Sequence, residues 1–495
     1  MKFKASIYNY IFGMANIGFA IISGILLVPL YLAYIDTSTY GSWLALSNVI
    51  LIIGSVESGF GLVITQYLSK AIQDKNRNSI SDLNGSNVIL SILISLLLIV
   101  IGCGLSPFIV AWVNTPESSI SIIKHATIVS VVSAVFGFLA GQIGVYTQVW
   151  QKTFHSGLSN LLSSMFGIGV IILLLYLDMG ILSLAYGALL RSLFKFIYLF
   201  IYSVLQWKSE NMPMFRFNND LSKKMIVESF MPFLSRISSI IVNNSQVFMV
   251  SAFISPSMAA IYDITSKLIV ICSLLMSNLN GSIFASLAHI FATNDKPYIK
   301  SSLESLFEIT NSVYFWAFLF CTFFTKEVVT IWVGSPMFGG MILNILIIIS
   351  IILKERKSLL QVLLFSIGTF SFSSRIDILA SFIYISIIVL AIPYYGINVI
   401  PLAMIISSLI GIYFYDKMLL NILHLDVIWM YNIGRKLFIP FVTIGCMLLF
   451  FPPINNIYLS LVLKGLVFLS LVILSQWYFS DVTRKIITER LFNRT

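Results

Sequence analysis

The chain has 495 residues, of which 58% are hydrophobic and only 10% charged, with a net charge of +10 and a mean hydropathy of +0.96. Soluble domains carry about a quarter charged residues, so a water-soluble enzyme or nucleic-acid-binding protein is excluded. The apolar runs are continuous rather than alternating, which excludes a transmembrane β-barrel and predicts an all-α polytopic membrane protein.

The N-terminal run MKFKASIYNYIFGMANIGFAIISGILLVPLYLAY is too long for a cleaved leader and is expected to be the first span. From there, apolar runs between polar breaks predict fourteen transmembrane helices: 9–34, 42–68, 86–111, 122–149, 157–177, 181–206, 226–253, 259–292, 303–325, 339–369, 376–393, 399–421, 437–452 and 457–479. With both termini in the cytoplasm, nineteen Lys and Arg residues fall on the cytoplasmic side and only Lys326 on the other. That asymmetry follows the rule that short basic loops stay inside. The four cysteines and four histidines are scattered, so neither a disulfide framework nor a metal site is expected, and no cofactor is called for.

The tenth segment contains Lys354-Glu355-Arg356-Lys357 in the middle of an otherwise apolar run. Read as a loop, these residues would leave a helix of only about 20 Å before them, short of a roughly 30 Å hydrocarbon core. Every later segment would also invert, placing Arg375, Arg435 and Lys436 outside. One long helix, continuous or locally broken, with charges near its middle and inside the membrane is therefore predicted.

Ten cations lie in or at the ends of spans: Lys124, Arg191, Lys195, Arg236, Lys267, Lys354, Arg356, Lys357, Lys417 and Lys464. A cation at the bilayer centre costs at least ~2.5–3.5 kcal/mol unless it meets water or a partner. On the seventh segment Ser229, Arg236 and Asn243 recur every seven residues, with Ser239 and Gln246 close in angle. On the tenth, Ser350, Lys354, Lys357, Ser358 and Gln361 share one face, whereas Glu355 and Arg356 point towards other helices. Asn9, Asn16 and Ser23 form a similar stripe on the first segment, equally consistent with an interhelical seam. Glu57, deep in the second span, is read as a coupling candidate or as the countercharge of a neighbouring cation; Asp263 is read as solvated.

A weak internal repeat relates LYLAYIDTSTYGSWLAL (Leu30–Leu46) to FISPSMAAIYDITSKLI (Phe253–Ile269), and QKTFHSG after the fourth segment to IGTFSFS after the tenth. The repeat unit is six helices in one orientation. Lobes are expected over 1–206 and 226–421, with two further helices over 437–479 and a cytoplasmic tail over 480–495. Through VPLYLAYIDTSTYGSW (Val28–Trp43), VESGFG (Val56–Gly61) and IYDITSKL (Ile261–Leu268), the chain resembles the multidrug/oligosaccharidyl-lipid/polysaccharide exporter superfamily and its bacterial O-antigen-type flippase branch. Ala285 stands where that family often has proline.

The resemblance implies two pseudo-symmetric six-helix lobes around a central cavity that opens alternately to each side of the bacterial inner membrane. It also implies an undecaprenyl-pyrophosphate-linked glycan as substrate, and polysaccharide polymerase and chain-length proteins as partners. Carrying a pyrophosphate and sugars through hydrocarbon is prohibitive, so cations in a polar corridor are expected to bind the headgroup. Arg236, Lys354 and Lys357 lead that list, followed by Lys267, Arg191, Lys195 and Asn243. No GxxxxGK[ST] loop is present and no covalent step is needed, so neither direct ATP drive nor enzymatic activity is expected. Two other readings remain at this level: a cation-coupled multidrug exporter, which favours an acidic cavity, and a non-transporting scaffold for glycan assembly, which favours deep charges paired off.

Overall fold

The computed structural model describes residues 2–54, 57–113, 119–150, 152–211, 213, 215–282, 287, 290–291, 295–367, 369–423, 441–450 and 457–479. Each of the fourteen predicted segments overlaps helix, and among the described residues nine helical stretches are long and apolar enough to span a membrane. The protein is an all-helical, multi-pass membrane protein. The helices are α1 Lys2–Tyr34, α2 Thr37–Gly54, α3 Glu57–Gln73, α4 Arg77–Trp112, α5 Ile120–Val149, α6 Thr153–Tyr176, α7 Leu182–Ser209, α8 Asn219–Asn244, α9 Gln246–Phe253 and α10 Pro256–Ser282. They continue as α11 Lys296–Val333, α12 Met341–Ser366, α13 Phe370–Tyr395, α14 Val399–Leu423, α15 (441–449) and α16 Ile457–Phe479. The Ala285 position and the 480–495 tail lie outside the described residues.

The chain divides into two compact units, Met1–Ala260 and Ile261–Thr495. The division falls inside α10 because α8 and α9 pack on α2, α3 and α4; the expected lobes, 1–206 and 226–421, leave a linker at 207–225 between them. Met225 is fully buried in a cluster with Ile64, Leu68, Leu83 and Tyr146. The linker itself is fastened to α4: Arg216 N–H donates to Ser81 O at 3.1 Å, and Asn218 Nδ2 donates to Asp82 Oδ2 at 3.0 Å. In the other unit α12 packs on α14, and α13 on α14. Leu359, Leu360, Leu363, Leu364 and Tyr415 belong to one buried cluster of this unit.

Outward faces are apolar. On α4, Ile92, Leu93, Leu96, Leu97 and Val100 are all more than half exposed, as lipid-facing side chains must be when the backbone is satisfied within the helix. Polar residues on α1 are handled locally. Asn16 donates to Phe12 O at 2.8 Å and Ser23 to Ala20 O at 3.2 Å, so these two members of the stripe are satisfied by their own helix, while the Asn9 side chain lies outside the described residues.

The two ends of the sequence repeat have matching local structure. After α1, Asp36 Oδ2 accepts the Thr39 N–H at 2.9 Å; after α9, Ser255 Oγ accepts the Met258 N–H at 3.3 Å. Both are N-caps, and Pro256 occupies the first helical position after the second. Gly41 lies against this second cap. A Cβ there would sit 1.7 Å from the Pro256 carbonyl oxygen, a backbone atom that cannot rotate away. Gly41→Ala is therefore expected to destabilise the protein by at least the ~1–3 kcal/mol typical of overpacking. Gly104→Ala, which meets nothing within 4 Å, serves as the neutral control in thermal unfolding of the purified protein.

The Lys354–Lys357 run lies inside the single helix α12, as the length and charge arguments require. Gly334 and Gly340, both at φ near +95°, bracket the turn that feeds α12 from α11 and adopt a conformation that other residues rarely do.

Candidate functional site

In the unit 1–260, α6 and α7 cross closely. A Cβ on Gly187 would fall 2.1 Å from Ile171 Cγ1, and one on Gly167 would fall 2.7 Å from Arg191 Cβ. Small residues at such a crossing let two membrane helices approach and gain van der Waals contact. The crossing forms one wall of a cavity of about 720 Å³, whose other walls come from α1, α2, α5 and Ile240 of α8. Gly187→Ala is expected to push α7 off α6 and to lower cavity function more than it lowers expression, as read by complementation at matched protein level.

The lining is mostly apolar but carries one polar and basic patch. Asn160, Ser163 and Ser164 of α6 face it together with Ser192, Arg191 and Lys195 of α7. Ser192 and Ser133 of α5 share a hydrogen bond at 3.1 Å. No Asp or Glu is among the lining residues. Arg191 is exposed, and no described carboxylate lies within salt-bridge distance of it. Lys195 follows one turn later on the same face. The site thus offers an anion a guanidinium fork, an ammonium and hydroxyl and amide groups, with no carboxylate among the described lining residues.

The unit 261–495 handles its cations in the opposite way. Lys354 Nζ is 2.9 Å from Glu355 Oε1, and both groups bond to Ser273 Oγ, at 3.1 and 2.6 Å. Lys357 Nζ is 2.8 Å from Asp377 Oδ1; the same carboxylate accepts from Tyr415 at 2.9 Å and from Gln361 Nε2. Gly411 on α14 leaves the groove along which the Lys357 stem runs, since a Cβ there would meet its Cδ at 2.7 Å. Lys267 pairs with Asp263 at 2.9 Å, one turn before it. Lys464 pairs with Glu327, and Arg356 stacks 4.4 Å over the Phe307 ring with Asp416 as an electrostatic partner.

These contacts revise the sequence reading. Lys267, Lys354 and Lys357 are not bare cations awaiting an anion, because each has a carboxylate at hydrogen-bond distance. Asp263 is a salt-bridge partner and not merely solvated. Glu355 does turn away from the shared polar face into the protein, but Lys354 follows it there. Asn243 is exposed on α8 and is not part of the cavity lining. The side chains of Arg236 and Glu57 lie outside the described residues. Of the basic residues singled out, the structure brings together Arg191 and Lys195.

Sequence reasoning missed the α6 side of the cavity. The signal was present as Asn160, Ser163, Ser164 and Gly167 at helical spacing, but without a charge it looked like any interhelical polar seam. Tyr31, Tyr40 and Trp43, which close one end of the lining, were quoted for the resemblance and not for chemistry.

Comparison with known proteins fits this architecture. A family profile described as "Polysaccharide biosynthesis protein" matches residues 9–290. No curated protein matches the chain in sequence. Among solved structures, the lipid II flippase MurJ in an inward closed conformation superposes with a TM-score of 0.73 at 15% identity, covering 98% of this chain and 100% of that one. A MATE family multidrug resistance transporter of the MOP superfamily superposes in its inward-facing form with a TM-score of 0.64 at 12% identity, covering 82% of this chain and 98% of the other. Its outward-facing counterpart gives a TM-score of 0.60 at 13% identity, covering 85% and 96%. At these identities the structures speak for the fold alone, while the profile spans more than half of the chain. An all-helical membrane fold shared with flippases and transporters, joined to that profile, places the chain in the polysaccharide biosynthesis protein family of the multidrug/oligosaccharidyl-lipid/polysaccharide exporter superfamily.

Proposed function

We infer that the protein is a flippase that carries polyprenyl-pyrophosphate-linked oligosaccharides, of the undecaprenyl type, across the bacterial inner membrane by alternating access. The observation that carries this reading is the acid-free cavity of the N-terminal unit, where Arg191 has no described countercharge and Lys195 stands beside it. An anionic headgroup entering that space replaces the missing countercharge, and the surrounding hydroxyls and Asn160 suit a sugar. The lipid tail stays in the bilayer, and nothing covalent is asked of the protein. The basic loops support cytoplasmic termini, and polymerase and chain-length proteins are the partners that would take the product onward.

A multidrug exporter moving cationic compounds is disfavoured by the same cavity, because its described charged lining residues, Arg191 and Lys195, are both cations and repel such cargo. A scaffold role draws support from the paired charges of the C-terminal unit but leaves the cavity unexplained. The test is reconstitution into vesicles with a fluorescent lipid-linked oligosaccharide, followed by quenching of the outer-leaflet dye. Expected is protein-dependent equilibration between leaflets, reduced by Arg191→Ala. Movement of cationic drugs with no movement of the glycolipid would overturn the reading.

A further inference from the structure

The cavity has two chemically different ends, and helix packing fixes their order along the membrane normal. Rings of Phe12 and Phe154 meet at 5.2 Å and those of Tyr34 and Tyr176 at 5.9 Å, so α1 runs parallel to α6. His155 bonds Tyr198 at 3.1 Å, while Gly167 abuts Arg191 and Ile171 abuts Gly187, so α7 runs antiparallel to α6. Arg191 therefore lies level with Gly167, and Lys195, one turn on, with Ser163 and Ser164. Tyr31 lies level with Ile171 and Leu184, at the far end. Trp43 joins it there, packed against Ala185 and the cluster containing Leu184. The Tyr31 ring is backed by Tyr40, 5.9 Å away and buried. Seven residues separate Leu184 from Arg191 on α7, an axial distance of about 10 Å.

We propose that Trp43 and Tyr31, with Tyr40 behind them, form a sugar subsite about 10 Å from the phosphate subsite at Arg191 and Lys195. This rests on the flippase reading and adds to it a specificity-determining element. The first sugar is joined directly to the phosphate and lies beside Arg191, on the side towards Leu184. The aromatic end is reached only by a later sugar, whose C–H face covers the rings while its hydroxyls remain available to the Tyr31 hydroxyl. The protein thus reads chain length: one sugar leaves the aromatic end empty, and two or more fill it.

The test is binding of synthetic polyprenyl-pyrophosphate lipids bearing zero, one, two or three sugars to the purified full chain. For the wild type, affinity should step up between the one-sugar and two- or three-sugar lipids. Trp43→Ala should remove that step, weakening the longer glycans by about two- to tenfold, the size of an aromatic contact, while leaving the bare pyrophosphate lipid unchanged. Tyr31→Leu provides an independent variant should Trp43→Ala not fold. Arg191→Ala should weaken all four lipids alike. A Trp43→Ala protein that binds every lipid like the wild type, or weakens all four equally, overturns the sugar subsite. An Arg191→Ala protein with undiminished binding, the step still present, overturns the phosphate assignment instead.

Discussion

Replacing Arg191 by alanine is expected to weaken binding of a lipid-linked pyrophosphate by about 10- to 150-fold, the consequence of losing charge-assisted hydrogen bonds worth ~1.5–3 kcal/mol. No described carboxylate lies within salt-bridge distance of Arg191. Holding a guanidinium near the membrane interior without a carboxylate is costly unless water or a ligand compensates, and Arg191 opens onto a cavity able to hold either. Arg191→Lys should retain part of the affinity, since it keeps the charge but loses the planar fork that grips two phosphate oxygens at once. Lys195→Ala should cost less, because a single ammonium acts as a point charge. The measurement is surface polysaccharide in a flippase-deletion strain at matched protein level, together with lipid titration of the purified variants. Full complementation by Arg191→Ala would remove the cavity as a headgroup site.

Replacing Asp377 by alanine is expected to destabilise the C-terminal unit by ~3–5 kcal/mol, the range for breaking a buried ion pair from one side. The Asp377 side chain is 4% exposed and that of Lys357 16%, so neither charge has water to fall back on. Three donors converge on this carboxylate, from Lys357, Gln361 and Tyr415, and alanine would leave all three without it. Lys357→Ala should cost less, because Asp377 would keep the other two donors. A double Asp377→Leu, Lys357→Met variant should recover most of the lost stability, since an apolar pair carries no desolvation cost. Resistance to thermal unfolding in detergent reads out all three. If Asp377→Ala unfolds like the wild type yet transport falls, the pair belongs to the transport route and the structural assignment fails.

The sequence by itself determined the helical class and the placing of Lys354–Lys357 within one helix, and each of its fourteen apolar segments overlaps helix. These follow from properties that do not depend on neighbours: hydrocarbon demands long apolar runs, and basic loops stay on one side. The superfamily was legible too, in motifs around Tyr40, Gly41 and Trp43, although the physical reason for Gly41, its backbone contact with Pro256, was not.

Which cations meet a carboxylate from another helix was decided by tertiary structure alone. Lys357 is neutralised by Asp377 from another helix, and Lys354 reaches its sequence neighbour Glu355 by bending into the protein beside Ser273 of α10. Arg191 is left open because α6 and α7 meet through glycines and offer it only hydroxyls, an amide and space. A helical face can be read from residue spacing, but a countercharge on another helix cannot, because the bilayer penalises every buried charge equally until a partner arrives from elsewhere in the chain.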